Sequence, residues 1–186
     1  MSNIIEIMDS SALNRAITRI SHEIVEKNKG TRDLVILGIK TRGMPIAKRI
    51  ADNIQSFENS NVELGSVDIT EYRDDIIKEE NGRLISRIDL EVKDKNVVLV
   101  DDVIYTGRTC RAAINAVMDA GRPQKIQLAV IVDRGHRELP IRPDYTGKNV
   151  PTSREEMIHV LLKEQDGKDV VILTKEGGKD EYDQQG

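Results

Sequence analysis

The chain reads as an α/β domain on a mostly parallel central sheet flanked by helices, and two features say so. Residues 33–40 (DLVILGIK), 96–102 (NVVLVDD) and 126–133 (IQLAVIVD) are short apolar runs rich in Val, Ile and Leu, the pattern of strands covered on both faces. Helical stretches alternate with them, and strand, turn, helix, strand in that order makes right-handed crossovers between parallel strands. At 186 residues, 38% of them hydrophobic, there is chain enough for one domain with its own core.

Each element has a local reason. A short apolar stretch at residues 4–8 precedes Asp9, Ser10 and Ser11, all good helix N-caps. A helix follows to about Lys29 and stops at Gly30. Residues 33–40 form the first buried strand, a Thr-Arg-Gly turn follows, and a helix runs through residues 47–54 (AKRIADNI). Residues 62–72 alternate weakly, as a strand would. Residues 73–86 are polar, charged and carry Asn81-Gly82, which predicts a mobile loop. Residues 96–102 are the strongest strand; a helix over 108–120 follows, stopped by Gly121 and Pro123, and 126–133 is again β-branched. From Arg134 the pattern breaks into RGHRELPIRPDYTGKNVPTS. Two late strands, 157–162 and 169–174, precede an acidic tail at 179–186 that reads as disordered. No repeat or linker divides residues 1–178, so a single domain is expected.

Composition narrows the function. No apolar run approaches the ~20 residues of a membrane span, and the N-terminal residues lack the basic and apolar regions of a secretory signal. Cys110 is the only cysteine, which excludes an internal disulfide framework and a Cys-rich metal site; it reads as a small packing residue. A reducing, cytoplasmic setting fits. One Phe, four Tyr and no Trp leave little for aromatic base-stacking platforms. The net charge of −4 means that a nucleic-acid partner would need a local basic patch. The three histidines, His22, His136 and His159, have no metal-ligand spacing.

The richest stretch is Val97-Val98-Leu99-Val100-Asp101-Asp102-Val103-Ile104-Tyr105-Thr106-Gly107-Arg108-Thr109. Two acids close a buried strand, and a Thr-Gly-Arg-Thr turn opens a helix. Ligands of open α/β sheets sit beyond the carboxyl ends of strands, where this turn lies. The unpaired N–H groups and partial positive charge of a helix N-terminus suit a phosphate, and Gly107 lets the backbone come close. Asp101 and Asp102 would repel a phosphate at their own position but accept well from sugar hydroxyls. Together they point to a ribose 5-phosphate laid along the turn. Taken alone, an Asp pair that ends a strand and a Thr that caps a helix serve structure equally well.

The complete string is more specific and resembles the phosphoribosyl pyrophosphate (PRPP) motif of the type I phosphoribosyltransferases. The resemblance implies that family's fold, a mostly parallel core with a small hood and a flexible loop. Lys40-Thr41-Arg42-Gly43 looks like the family's pyrophosphate loop, and Tyr72-Arg73-Asp74-Asp75 like the base of its flexible catalytic loop. It implies catalytic roles for Asp101, Asp102, Arg73 and Arg42, and PRPP or UMP contacts from residues 40–43 and 97–109. Arg134 and Ile158 would lie at the nucleobase pocket. Mg²⁺ would come with PRPP, with no all-protein metal site.

Three stretches narrow the resemblance: Ala16-Ile17-Thr18-Arg19-Ile20-Ser21-His22-Glu23, GIKTRG at 38–43, and Val132-Asp133-Arg134-Gly135-His136-Arg137-Glu138-Leu139-Pro140-Ile141-Arg142. Over residues 9–153 the chain is similar to the pyrimidine-operon attenuation regulators that are also uracil phosphoribosyltransferases. That implies two activities: uracil and PRPP giving UMP and pyrophosphate, and binding of pyrimidine-operon leader mRNA promoted by UMP or UTP. It also implies a homodimer or higher homo-oligomer and no membrane association. The implied RNA surface is Thr18, Arg19, His22, Lys27, Arg137, Arg142 and Lys148; Lys27 stands where the family often has Arg.

The residues allow such a surface. Leu13, Ile17, Ile20 and Ile24 make one apolar stripe on the first helix, with Arg15, Thr18, Arg19 and His22 opposite. Residues 13–49 carry nine Lys or Arg against three acids, so the acidic total hides a basic N-terminal third of the kind phosphate backbones attract. Alone, this is also how a solvated helix face looks. The hood and first-helix segments speak against a purine base. They leave open a purely metabolic uracil enzyme, and a regulator that keeps its pocket only as a sensor.

Overall fold

The computed structural model describes residues 4–70, 88 and 90–175; the expected loop at 73–86, with Arg73, and the acidic tail at 179–186 lie outside them. In chain order the elements are β1 (Ile5–Met8), α1 (Ser10–Asn28), β2 (Leu34–Ile39), α2 (Gly43–Glu58), β3 (Glu63–Val67), β4 (Asn96–Ile104), α3 (Arg108–Ala120), β5 (Lys125–Asp133), β6 (Tyr145–Asn149), β7 (Glu156–Leu161), α4 (Lys163–Asp166) and β8 (Val170–Lys175). Five strands form a wholly parallel sheet in the order β3-β2-β4-β5-β6. The remaining three form a small antiparallel sheet, β1-β8-β7. No helix among the described residues is long and apolar enough to cross a membrane.

Side chains on successive residues of a strand point to opposite faces, and here both faces are apolar. Val98 and Val100 of β4, with Ile36 and Ile131, meet Ile17, Ile20, Ile24, Ile46 and Ile50 of α1 and α2. Val97 and Leu99, with Val35, Leu37 and Val130, meet Ala112, Ala113, Ala116 and Val117 of α3. The predicted stripe on α1 is therefore its buried face; Leu13, Ile17, Ile20 and Ile24 are each at most 1% exposed. Asp9 caps that helix, its Oδ1 accepting from the Ala12 amide at 2.7 Å. At the other end Lys29 takes the left-handed conformation (φ 56°), and its amide returns to the Glu26 carbonyl just before Gly30.

The sequence misplaces several boundaries. β3 is Glu63–Val67, shorter than 62–72, and β4 continues to Ile104, past the acids expected to end it. α2 begins at Gly43, four residues early, because Pro45 falls in the first turn, where a missing N–H has no helical partner to lose. The stretch from Arg134, read as irregular, contains β6. Of its residues Tyr-Thr-Gly-Lys-Asn only Tyr145 is apolar and buried, so neither alternation nor length announces a strand. Gly147 fits there because an added Cβ would stand 2.5 Å from the Ile131 carbonyl oxygen of β5. The apolar residues 4–8 supply β1, which pairs with β8 near the other end of the chain (Ile5 opposite Leu173).

Parallel pairing brings the carboxyl ends of the strands to one edge. Gly38 of β2 lies opposite Val100 of β4, and Ile104 of β4 opposite Asp133 of β5. The segments after β2, β4 and β5 therefore converge there.

Candidate functional site

Asp101 and Asp102 sit side by side within β4, half-buried. The Asp102 amide donates to Asp101 Oδ1 at 2.9 Å, and the Val103 amide to Asp102 Oδ1 at 2.7 Å. Burial, and then the neighbouring Asp102 charge, hold the Asp101 carboxyl well above the ordinary carboxylate range. Burial also raises Asp102, while its hydrogen bonds and Arg42 pull it back. The pair therefore holds a proton more readily than two solvent-exposed acids would. A cation beside them would let both ionise, as a divalent metal arriving with a polyphosphate would. Among the described residues no three His, Cys, Asp or Glu side chains gather into a metal cage. Two carboxylates plus ligand oxygens are instead the usual way of holding Mg²⁺.

Three residues on, the chain turns into α3. Gly107, at φ 93°, precedes the first helical residue, a conformation that an L side chain resists. Residues 101, 103–107, 109 and 110, with Leu128 and Val130, line a cavity of about 130 Å³ beside the open N-terminus of α3. Cys110 is buried, and burial pushes its thiol up to about 12, consistent with a packing role.

The segment after β2 approaches from the other side. The Lys40–Thr41 peptide bond is cis, and Lys40 and Thr41 are exposed. Arg42 turns to the small antiparallel sheet and α4. It holds Asp166 of α4 in a two-pronged pair, at 2.7 and 3.2 Å, and donates to the Val160 carbonyl of β7. Gln165 Nε2 donates to the Thr41 carbonyl. Burial alone would lift the Asp166 carboxyl, but Arg42 and the Leu162 amide outweigh it and hold it low. This clamp of α4 on residues 41–42 joins groups some 124 residues apart in sequence, and sequence reading missed both Gln165 and Asp166.

At the expected base pocket Arg134 is buried. It donates to Thr152 Oγ1 and to the Ser153 and Glu156 carbonyls, and its guanidinium lies 4.0 Å over the Tyr105 ring. His136 closes the group, edge-on to Tyr105 and bonded to the Thr152 carbonyl. Arg134 thus frames the pocket through backbone it holds in place. Ile158, on β7, packs against the core.

The residues expected to face RNA divide in two. Thr18, Arg19, His22 and Lys27 are exposed along α1, and Arg142 and Lys148 are exposed around β6. β6 brings the two sets together: Arg19 donates to the Thr146 and Gly147 carbonyls at 3.2 and 2.8 Å, and Lys27 pairs with Asp144 at 2.7 Å. His22 stacks on Phe57 of α2 with ring centroids 4.0 Å apart, a contact sequence reading missed. Arg137 departs from the others. Its side chain, 20% exposed, turns inward to Asp133 and to the Tyr105 and Ile141 carbonyls.

The phosphoribosyl transferase domain profile matches residues 4–166. A protein of Alkaliphilus metalliredigens named "Bifunctional protein PyrR" is 57% identical over 93% of this chain and 95% of its own length. One of the same name from Clostridioides difficile is 59% identical over 91% and 97%. Among solved structures, a hypoxanthine-guanine phosphoribosyltransferase from Bacillus anthracis superposes with a TM-score of 0.69 over 93% of this chain and 99% of its own. At 17% identity that likeness speaks for the fold alone.

Proposed function

Since the chain belongs to the phosphoribosyl transferase family, and within it to the bifunctional PyrR proteins, we propose that it is a uridine-nucleotide-dependent regulator that binds pyrimidine-operon leader mRNA, attenuates transcription, and also converts uracil and PRPP to UMP and pyrophosphate. It acts in the cytoplasm as a homodimer or larger homo-oligomer. One observation carries the reading: a single domain joins an acid pair and phosphate turn at the sheet edge to a basic face of α1 laced onto β6.

In synthesis, the 5-phosphate of PRPP lies on the turn at Thr106–Thr109, against the α3 N-terminus, and its ribose hydroxyls donate to Asp101 and Asp102. Asp101 and Asp102 would hold the Mg²⁺ that comes with PRPP, whose chemistry is to neutralise charge on the departing diphosphate. The backbone of residues 40–43 cradles that diphosphate, with Arg42 adding positive charge nearby. Arg73, which lies outside the described residues, would add positive charge to the leaving group. The uracil edge meets the backbone that Arg134 holds around residues 152–156. UMP then occupies the same turn as product and as signal.

The α4 clamp predicts a split in kinetics. Asp166→Asn removes the charge that holds Arg42 and is expected to raise KM for PRPP about five- to tenfold with kcat within twofold, with Asp166→Glu intermediate. An unchanged KM would show that the loop needs no clamp. Because the Asp166 carboxyl is held low, the clamp is complete above the ordinary carboxylate value of about 4 and fails as pH falls through the lowered one.

RNA binding is tested directly. The purified protein is titrated with its own leader RNA and with a scrambled sequence, with and without UMP, across a salt series. Specific binding that UMP tightens and salt weakens is expected. His22→Ala should lower RNA affinity about tenfold while UMP synthesis stays near normal. Equal affinity for both RNAs at every UMP level would leave a purely metabolic uracil enzyme.

A further inference from the structure

We infer that Arg137 is a positioning residue that couples nucleotide occupancy to the RNA face, not a contact to RNA itself. This rests on the proposed function, and it concerns a group whose geometry does not suit a phosphate. The Nε, Nη1 and Nη2 of its guanidinium all donate inward, to the Ile141 carbonyl at 2.9 Å, the Tyr105 carbonyl at 2.9 Å and Asp133 Oδ2 at 2.6 Å. Arg142, five residues on, is exposed instead.

These bonds make residues 134–142 a strap with two sides. One side is fastened to the phosphate turn. The Glu138 and Leu139 amides donate to the Thr106 carbonyl, and Leu139, Arg137 and Ile141 close over Gly107, 3.5–3.7 Å from where its Cβ would be. The other side forms the wall of a surface groove of about 1060 Å³ whose lining includes Arg142, Thr146 and Asn149. Arg19 reaches the same strand through the Thr146 and Gly147 carbonyls.

Among the described residues, Arg137 is the one side chain that grips the turn (Tyr105), the end of β5 (Asp133) and the residue before Arg142 (Ile141). A nucleotide phosphate seated on the Thr106–Thr109 amides fixes the turn, and hence the two carbonyls to which the strap is tied. The strap then holds Arg142 and the groove wall in one arrangement. UMP tightens RNA binding by as much as it favours that arrangement, and by linkage RNA tightens UMP by the same factor. Asp133 is the second anchor: its Oδ1 accepts from the Gly135 amide while its Oδ2 holds Arg137.

The test compares wild type, Arg137→Gln and Asp133→Asn, each first checked by circular dichroism and thermal melting. Leader-RNA affinity is measured without UMP and at saturating UMP over a salt series. Wild type is expected to gain affinity with UMP in the range usual for coupled sites, roughly 5–150-fold. Asp133→Asn keeps every cation, so its affinity without UMP should stay within twofold of wild type, while the gain from UMP falls below twofold. Arg137→Gln should lose the gain too and keep the wild-type salt slope. The inference is overturned if Asp133→Asn keeps the full gain. It is also overturned if Arg137→Gln weakens RNA binding equally with and without UMP and flattens the salt slope by about one, the mark of a lost phosphate contact. Wild-type binding indifferent to UMP would instead refute the proposed function from which the inference starts.

Discussion

Asp101→Asn is expected to stabilise the protein and to remove its turnover. The stabilisation follows from burial. Asp101 holds its proton more tightly folded than unfolded, chiefly because burial disfavours its charge and Asp102 adds to that. Such a group favours the fold at pH below the ordinary carboxylate value of about 4, and that contribution is lost as pH rises through the raised value. At neutral pH the wild-type pair therefore keeps either a buried charge or a proton taken from water. An amide needs neither, and its oxygen still accepts from the Asp102 amide that now reaches Asp101 Oδ1. A gain on the order of 1 kcal/mol is expected at pH 8, or about 2–4 °C in Tm for a chain of this length, shrinking toward pH 5. Thermal melts of the ligand-free protein at both values check it; a Tm difference independent of pH would contradict the raised carboxyl. Turnover should fall at least 100-fold, the scale at which one preorganised polar group at a reacting centre matters. Asp101→Asn with Asp102→Asn should abolish PRPP use. Unchanged turnover in the double variant would sink the assignment of this pair.

What the sequence made legible was local. The strand, acid pair, turn and helix of residues 97–120 are contiguous, and each piece carries its own signal, from β-branched run to glycine at positive φ. The buried stripe of α1 was legible because helical period alone decides which side faces the core. Less legible was whatever depends on partners far along the chain. β6 is held by β5 and by the outer face of α1, not by any pattern in Tyr145–Asn149. Arg42 was identified from its loop, yet its guanidinium lies with Asp166 in a helix of one turn, for which four polar residues give no period. Arg137 shows the same limit more sharply. Its place beside Arg142 in a basic stretch matches a surface residue, but its direction is set by Asp133 and by a carbonyl 32 residues away.

Gly43→Ala is expected to damage both fold and site, and the reason lies in how closely α2 rests on the sheet. Gly43 opens α2, and a Cβ there would stand 2.1 Å from the Val100 carbonyl oxygen and 3.4 Å from Asp101 Cα. Gly38, beneath it on β2, is as tight: its Cβ would meet Met44 Cα at 2.5 Å. The obstacles are backbone atoms, of α2 for Gly38 and of β4 for Gly43, so neither has a rotamer to yield; Val100 is also fixed in register with both Gly38 and Ala129. Helix propensity pulls the other way, since Ala favours a helix over Gly by up to about 1 kcal/mol. Overpacking a tight interior usually costs about 1–3 kcal/mol and more where backbone must move, so the contact wins. A net loss of about 3 kcal/mol is expected, or roughly 6–12 °C in Tm. Relief can come only by lifting the start of α2, which carries residues 40–43 away from Asp101. A displacement of ~1 Å between reacting groups costs on the order of 100-fold in rate, so turnover measured well below the new Tm should fall by about that much. Gly30→Ala separates the two effects. Gly30 has φ +115° but no atom within 4 Å of its Cβ position, and it lies at the far end of α1. It should cost about 1 kcal/mol from backbone strain and leave turnover unchanged. If Gly43→Ala behaved like Gly30→Ala, the close seating of α2 would not be what aligns the pyrophosphate loop with the acid pair.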